Sequence, residues 1–255
     1  MKNMIRKRFV YLPATICCLL AALFLAHYLR FLAADTAQSA AKNAQAILIS
    51  IERAAERRQR IYSQNIHARL LNNPVDGIKL ADPKSYLSPR AYYDFDKKKH
   101  DHRTINTLGA IGCYMSHENA WKEVVDLNKP EFIIEDDITI VNENYMDFVN
   151  EWMLSDHSKP RIKWLSYAYL NKSENLLWGT GAYLINPLAA KMLLEHSRPI
   201  DIQVDAYMHS MIFKYKWDLE KTEYPIFRQY ETSDGTFKTL CQRYNNDHPE
   251  NKYLL

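Results

Sequence analysis

The sequence predicts an α/β domain with a mostly parallel central sheet, preceded by one N-terminal transmembrane helix. Three observations carry this prediction. Short apolar, β-branched runs such as Ala46 to Ile51 and Glu131 to Ile134 have the length and composition of buried strands. Amphipathic stretches of helical period alternate with them along the chain. Ahead of both lie 21 residues without a formal charge, Phe9 to Leu29.

That first stretch matches the roughly 20 apolar residues that cross a bilayer as a helix. Lys2, Arg6, Lys7 and Arg8 precede it and Arg30 follows, which favours a cytoplasmic N-terminus and a translocated body. The expected organisation is a cytoplasmic tail over 1–8, a signal anchor over 9–33, a stem over 34–45 and the folded body over 46–255. This is a single-pass type II arrangement with the body lumenal or extracytoplasmic. A cleavable signal peptide is the competing reading, because Ala33, Ala34 and Ala37 supply small residues where cleavage could occur. The sequon Asn171-Lys172-Ser173, in a polar stretch that reads as a loop, agrees with a lumenal body.

Through the body, the elements follow in order. Ala46 to Ile51 is the first strand, and the charged, helix-favouring stretch Glu52 to Arg69 follows it. Asn72 to Gly77 has turn chemistry, and 82–104 reads as a long irregular segment with Tyr86, Tyr92, Tyr93 and Phe95 among charges. Thr107 to Leu127 is a helix, because Ile111, Met115, Trp121 and Val125 recur near helical spacing and Pro130 follows. After the strand at Glu131 come a helix over 144–154, strands over 162–167 and 181–185, and a helix over 187–196 with proline in its first turn. A further helix to about Lys214 and a last short strand over 224–227 complete the series.

Charge narrows the function. The net charge is +3, but five of the 33 basic residues fall in the first 33 positions, which hold no acid. The remainder carries 28 basic against 30 acidic residues. Such a body lacks the positive field that holds a polyanion, so nucleic acid is not an expected partner. Cys113 and Cys241 are too few for a disulfide framework.

Glu135-Asp136-Asp137, at the end of an apolar strand, is the most informative block. Three adjacent carboxylates repel one another and would be costly in a dry core. Strand alternation would send Glu135 and Asp137 one way and Asp136 the other. Carboxylates at a strand end suit a hard cation, Mg²⁺ or Mn²⁺, held jointly with phosphate oxygens. A solvated acidic turn is the plain alternative.

Five blocks in order then resemble glycosyltransferase family 25: Ile49 to Arg53 with Glu56 to Arg58; Pro74 to Gly77; Gly109 to His117 running into Trp121; Ile133 to Asp137; and Gly179 to Ile185 followed by Pro199-Ile200-Asp201. The resemblance implies a GT-A-like nucleotide-sugar-binding domain over 46–255, a UDP-sugar donor and inversion at the anomeric carbon. It implies a hexose, most often galactose, transferred to a hydroxyl on a glycan, a lipid-linked saccharide such as lipooligosaccharide, or a protein. Asp137 and Glu135 become the expected metal ligands, for Mn²⁺ or Mg²⁺. Arg53, Ser116, His117, Glu135, Asp136, Gly179 and Gly181 become expected donor contacts. Asp201 matches an aspartate of the family and is the expected base, with Asp205 one helical turn on as its alternate. An inactive, membrane-anchored glycan- or partner-binding protein on the same fold is the competing function.

Overall fold

The computed structural model describes residues 19–20, 22–28, 45–99, 103–171 and 176–229. The chain divides into two units, Met1–Asn43 and Ala44–Leu255. In the first, residues 19–20 and 22–28 are helical and exposed. No helix among the described residues is long and apolar enough to cross a membrane. The rest of the expected 9–33 span lies outside them.

The second unit is a three-layer α/β/α domain. Its strands are β1 (Ala46–Ile49), β2 (Ala68–Leu70), β3 (Glu131–Glu135), β4 (Ile138–Ile140), β5 (Ile162–Asn171), β6 (Leu176–Ile185), β7 (Glu220–Lys221) and β8 (Phe227–Gln229). Its helices are α1 (Ala55–Ser63), α2 (Pro89–Asp96), α3 (Leu108–Leu127), α4 (Tyr145–Met153), α5 (Pro187–His196) and α6 (Val204–Tyr215). The main sheet has the order β2-β1-β3-β6-β5-β7. β2, β1 and β3 are mutually parallel, β6 runs against β3 and β5, and β7 is parallel to β5. Five strands therefore share one direction, which fits a GT-A-like domain. β4 and β8 form a separate antiparallel pair.

Strand alternation builds a core on each face. Ile47 of β1, Ile133 of β3 and Tyr183 and Ile185 of β6 point towards α3, α5 and α6, where they meet Ile111, Trp121, Leu193 and Met208. Leu48, Phe132, Ile134 and Leu184 point the other way, onto Ile61 of α1 and Val149 and Trp152 of α4. Burial on both faces explains why these strands read as unbroken apolar runs.

Side-chain caps set several helix starts. Thr107, Ser88 and Asn186 each accept the backbone N–H three residues on, at the heads of α3, α2 and α5. Residues 82–104, expected to be irregular, contain α2 and a 3₁₀ turn at Pro83–Ser85. The Ser88-Pro89 pair, a cap followed by proline at the first helical position, is what starts α2. The stretch Glu52 to Arg69 likewise divides, with α1 ending at Ser63 and β2 beginning at Ala68.

Candidate active site

The carboxyl ends of β1 and β3, the start of α1, the turn at 75–77 and one face of α3 enclose a cleft. It is lined by Ser50, Arg53, Arg57, Asp76, Cys113, Ser116, Glu135, Asp136 and Asp137, among others. A parallel sheet presents its ligand site at this edge.

β3 ends at Glu135, so strand alternation stops there and the three acids diverge by a different rule. Asp136 and Asp137 lie in the turn leading to β4 and share one cation. Arg57 Nη1 stands 3.2 Å from Asp136 Oδ1 and 3.7 Å from Asp137 Oδ2. Ser50 Oγ donates to Asp136 Oδ2 at 2.6 Å. Glu135 turns to β6 and α3: Thr180 Oγ1 of β6 donates to its Oε1 at 2.6 Å, and His117 Nε2 of α3 lies 3.2 Å from the same oxygen. The expected pairing of Glu135 with Asp137 on one face is thus replaced by Asp136 with Asp137.

The charges do not balance. Burial, with the neighbouring Glu135 and Asp136 charges, pushes the Asp137 carboxyl up to about 8, and Arg57 counters only part of this. Asp136 is also raised by burial, against the Ser50 and Arg57 contacts. Burial works against the Glu135 charge as well, while the hydrogen bonds from His117 and Thr180 and the Arg57 charge favour it. Asp137 Oδ1 is buried and meets no hydrogen-bond partner among the described residues.

A buried, orphaned carboxylate oxygen beside two further carboxylates and one arginine fits a hard divalent cation. Asp137, with Asp136 or Glu135, would hold it, and it would neutralise charge on a leaving diphosphate. Cys113, His117 and Glu135 also bring ligand atoms within 4.8 Å of one another. Both His117 nitrogens are already engaged there, by Tyr183 at 2.8 Å and by Glu135. Sulfur and imidazole moreover suit a softer ion than Mg²⁺ or Mn²⁺.

The other expected site residues divide into those at the cleft and those behind it. Arg53 lines it, with Nε 3.0 Å from Asp76 Oδ2. Ser116 also lines it, but its hydroxyl is turned to the backbone, accepting from Val75 N at 2.9 Å and donating to Gly112 O at 2.8 Å. His117 is fully buried behind Glu135. Gly181 is packed in the sheet, where a Cβ would stand 2.9 Å from Ile138 Cγ2. Gly179 has φ +93° with open space where a Cβ would project, so the backbone conformation and not crowding requires glycine.

Asp201 and Asp205 separate sharply. Asp201 is exposed and accepts a hydrogen bond from Ser88 on the loop that follows the cis Arg198–Pro199 bond. Asp205, in the first turn of α6, accepts Gly179 N–H at 3.2 Å and Ala206 N–H at 2.7 Å. Burial pushes its carboxyl up to about 6 against those two bonds, and the Glu135 charge adds to the rise. Asp205 thus shares the electrostatic field of the acidic block.

Arg57, Ser50, Asp76, Thr180 and Tyr183 fall within the blocks of the resemblance, but sequence reasoning gave none of them a site role. A signal existed for Arg57: Ile61, four residues on, is the buried position of α1, so Arg57 shares its inward face.

With this geometry in place, comparison with known proteins gives the lineage. Residues 43–175 match the family described as Glycosyltransferase family 25 (LPS biosynthesis protein). The chain belongs to glycosyltransferase family 25. Curated relatives named "Glycosyltransferase 25 family member" occur in Anopheles gambiae, 28% identical over 186 residues, and Aedes aegypti, 27% identical over 197 residues. Each alignment covers 64% of this chain, and 31% and 30% of the two mosquito proteins. The chain therefore spans under a third of the length of these relatives. The family match includes the acidic block and ends before Gly179 and Asp205.

Proposed function

We propose that this glycosyltransferase moves a hexose, galactose first among candidates, from a UDP-sugar to an acceptor hydroxyl with inversion. The acceptor class is a glycan, a lipid-linked saccharide or a protein hydroxyl. The observation that carries the proposal is the unbalanced acidic cluster at the ends of β1 and β3, with its orphaned Asp137 oxygen.

A divalent cation, Mn²⁺ or Mg²⁺, supplies electrostatic stabilisation of the diphosphate when bound. Asp137 and its neighbouring carboxylates would hold that cation at the cleft. Arg57 keeps Asp136 and Asp137 from repelling one another apart, and Arg53, fixed by Asp76, borders the cleft where the donor lies. The acceptor oxygen attacks the anomeric carbon from the face opposite the diphosphate. The bond from that carbon to the diphosphate oxygen breaks, and its electron pair leaves with UDP. Asp205 takes the acceptor's proton; its raised affinity for a proton suits a base working near neutrality. Asp201, tied to Ser88, supports the loop that enters α6.

The N-terminal stretch 9–33, by its apolar sequence, serves in this proposal as a type II membrane anchor with the body on the lumenal or extracytoplasmic side. Incubating the full chain with a panel of UDP-sugars, Mn²⁺ and candidate acceptors tests the function. Release of UDP with matching gain of mass on an acceptor is the expected result. Binding of a glycan with no UDP release from any donor would overturn it in favour of a binding protein.

A further inference from the structure

Behind Glu135 lies a run of hydrogen bonds whose direction can be deduced. Trp121 Nε1 is 3.0 Å from Tyr183 Oη, Tyr183 Oη is 2.8 Å from His117 Nδ1, and His117 Nε2 is 3.2 Å from Glu135 Oε1. Trp121, Tyr183 and His117 are all fully buried. An indole N–H can only donate, so the Tyr183 oxygen accepts from Trp121. Tyr183 has one proton, and the only acceptor it meets among the described residues is His117 Nδ1. Nδ1 therefore carries the lone pair and Nε2 the hydrogen, which His117 donates to Glu135.

The alternatives each leave a fault. A doubly protonated ring would make Tyr183 accept twice and strand its own proton in the core. The opposite tautomer would set an imidazole lone pair against a carboxylate. The neutral Nε2–H ring satisfies every group in the series, and Thr180 adds a second donor to the same Glu135 oxygen. Glu135 Oε2 has no hydrogen bond among the described residues, and Glu135 lines the cleft.

We propose that Trp121, Tyr183 and His117 form a one-way donor relay that fixes the His117 tautomer and orients Glu135, engaging Oε1 and presenting Oε2 to the cleft. Trp121 and Tyr183 are positioning residues that act through His117. Packing alone would not require this series: phenylalanine fills nearly the same volume as tyrosine without a hydroxyl. The proposal rests on the reading of the cleft as the UDP and cation site. In that setting, partners behind a ligating carboxylate set its orientation and hence its affinity.

The test uses the full chain labelled with ¹⁵N-histidine, with His117→Gln identifying the resonance. Wild-type His117 should show the Nε2–H tautomer. Tyr183→Phe should move it to a tautomer mixture and weaken binding of UDP with Mn²⁺, read by calorimetry, by about ten- to a hundredfold, the usual scale for lost outer partners. His117→Gln, which keeps an acceptor and a donor, should retain more affinity than His117→Leu. A charged or Nδ1–H His117 in the wild type would overturn the relay. So would a Tyr183→Phe chain that melts earlier yet keeps the tautomer and the affinity. Failure of the cleft reading looks different: wild type itself binds no UDP, and the relay loses its purpose although the tautomer signature persists.

Discussion

Replacing Asp137 by asparagine should make the protein more stable and less active. Burial and the neighbouring carboxylates push the Asp137 carboxyl up to about 8 in the folded state, whereas an unfolded aspartate releases its proton near 3.8. The folded state thus binds the extra proton, and stability falls as pH rises from about 4 to about 8. At about 1.4 kcal/mol per unit, this costs on the order of 5 kcal/mol by pH 7.5. Asparagine keeps the shape of the protonated acid and does not ionise. It also introduces an amide without a ready acceptor, at about 1–3 kcal/mol, and gives up the Arg57 contact. The net gain expected at pH 7.5 is about 2 kcal/mol, or roughly 4–8 °C for a domain of this size. Thermal melts with chelator between pH 6.5 and 8.5, above the range in which Asp205 titrates, should show the wild type losing more stability with pH than the variant. Adding Mn²⁺ with UDP should stabilise the wild type and leave the variant unmoved. A variant that melts below the wild type at pH 7.5, or keeps the same pH slope, would refute the reasoning.

Three further outcomes are expected. Asp205→Asn should lower transfer by about 10²–10⁴-fold while Asp201→Asn retains most of it, and the wild-type rate should rise with pH through about 6 as the base ionises; steady-state kinetics decide, and the reverse ranking would move the role to Asp201. Gly112→Ala sets a Cβ 2.5 Å from Gly77 N, a backbone atom that cannot swing aside, so denaturant titration should show a loss of about 1–3 kcal/mol. Arg198→Met leaves Glu118 buried without the guanidinium it binds through both carboxylate oxygens, and should cost about 3 kcal/mol in the same measurement.

The layered architecture was readable because the central strands are buried on both faces and so print as apolar runs. The bounds of α5 were readable from Pro187, and the start of α3 from Thr107 and the helical period after it. The short strands β2, β4 and β7 were not. They have two or three residues each, too few for a period, and depend on their neighbours for pairing. At the site, the acidic block was legible because adjacent carboxylates after an apolar strand are costly unless something requires them. Its internal pairing was not, since the end of β3 at Glu135 decides which acids share Arg57. Tyr183 and Trp121 lie in blocks of the resemblance, but their role was not legible, because their hydroxyl and indole N–H matter only through partners distant in sequence. Asp201 and Asp205 were both named from the sequence; that Asp205 accepts the Gly179 N–H becomes visible only when β6 and α6 meet.

The central claim is that the cleft at the ends of β1 and β3 binds a nucleoside diphosphate through a cation held by the acidic block. Calorimetric titration of UDP into the full chain, with Mn²⁺ and again with chelator, tests it most directly. The account predicts saturable binding that requires Mn²⁺ and disappears in Asp137→Asn. UDP binding of equal strength in chelator, or in Asp137→Asn, would contradict it.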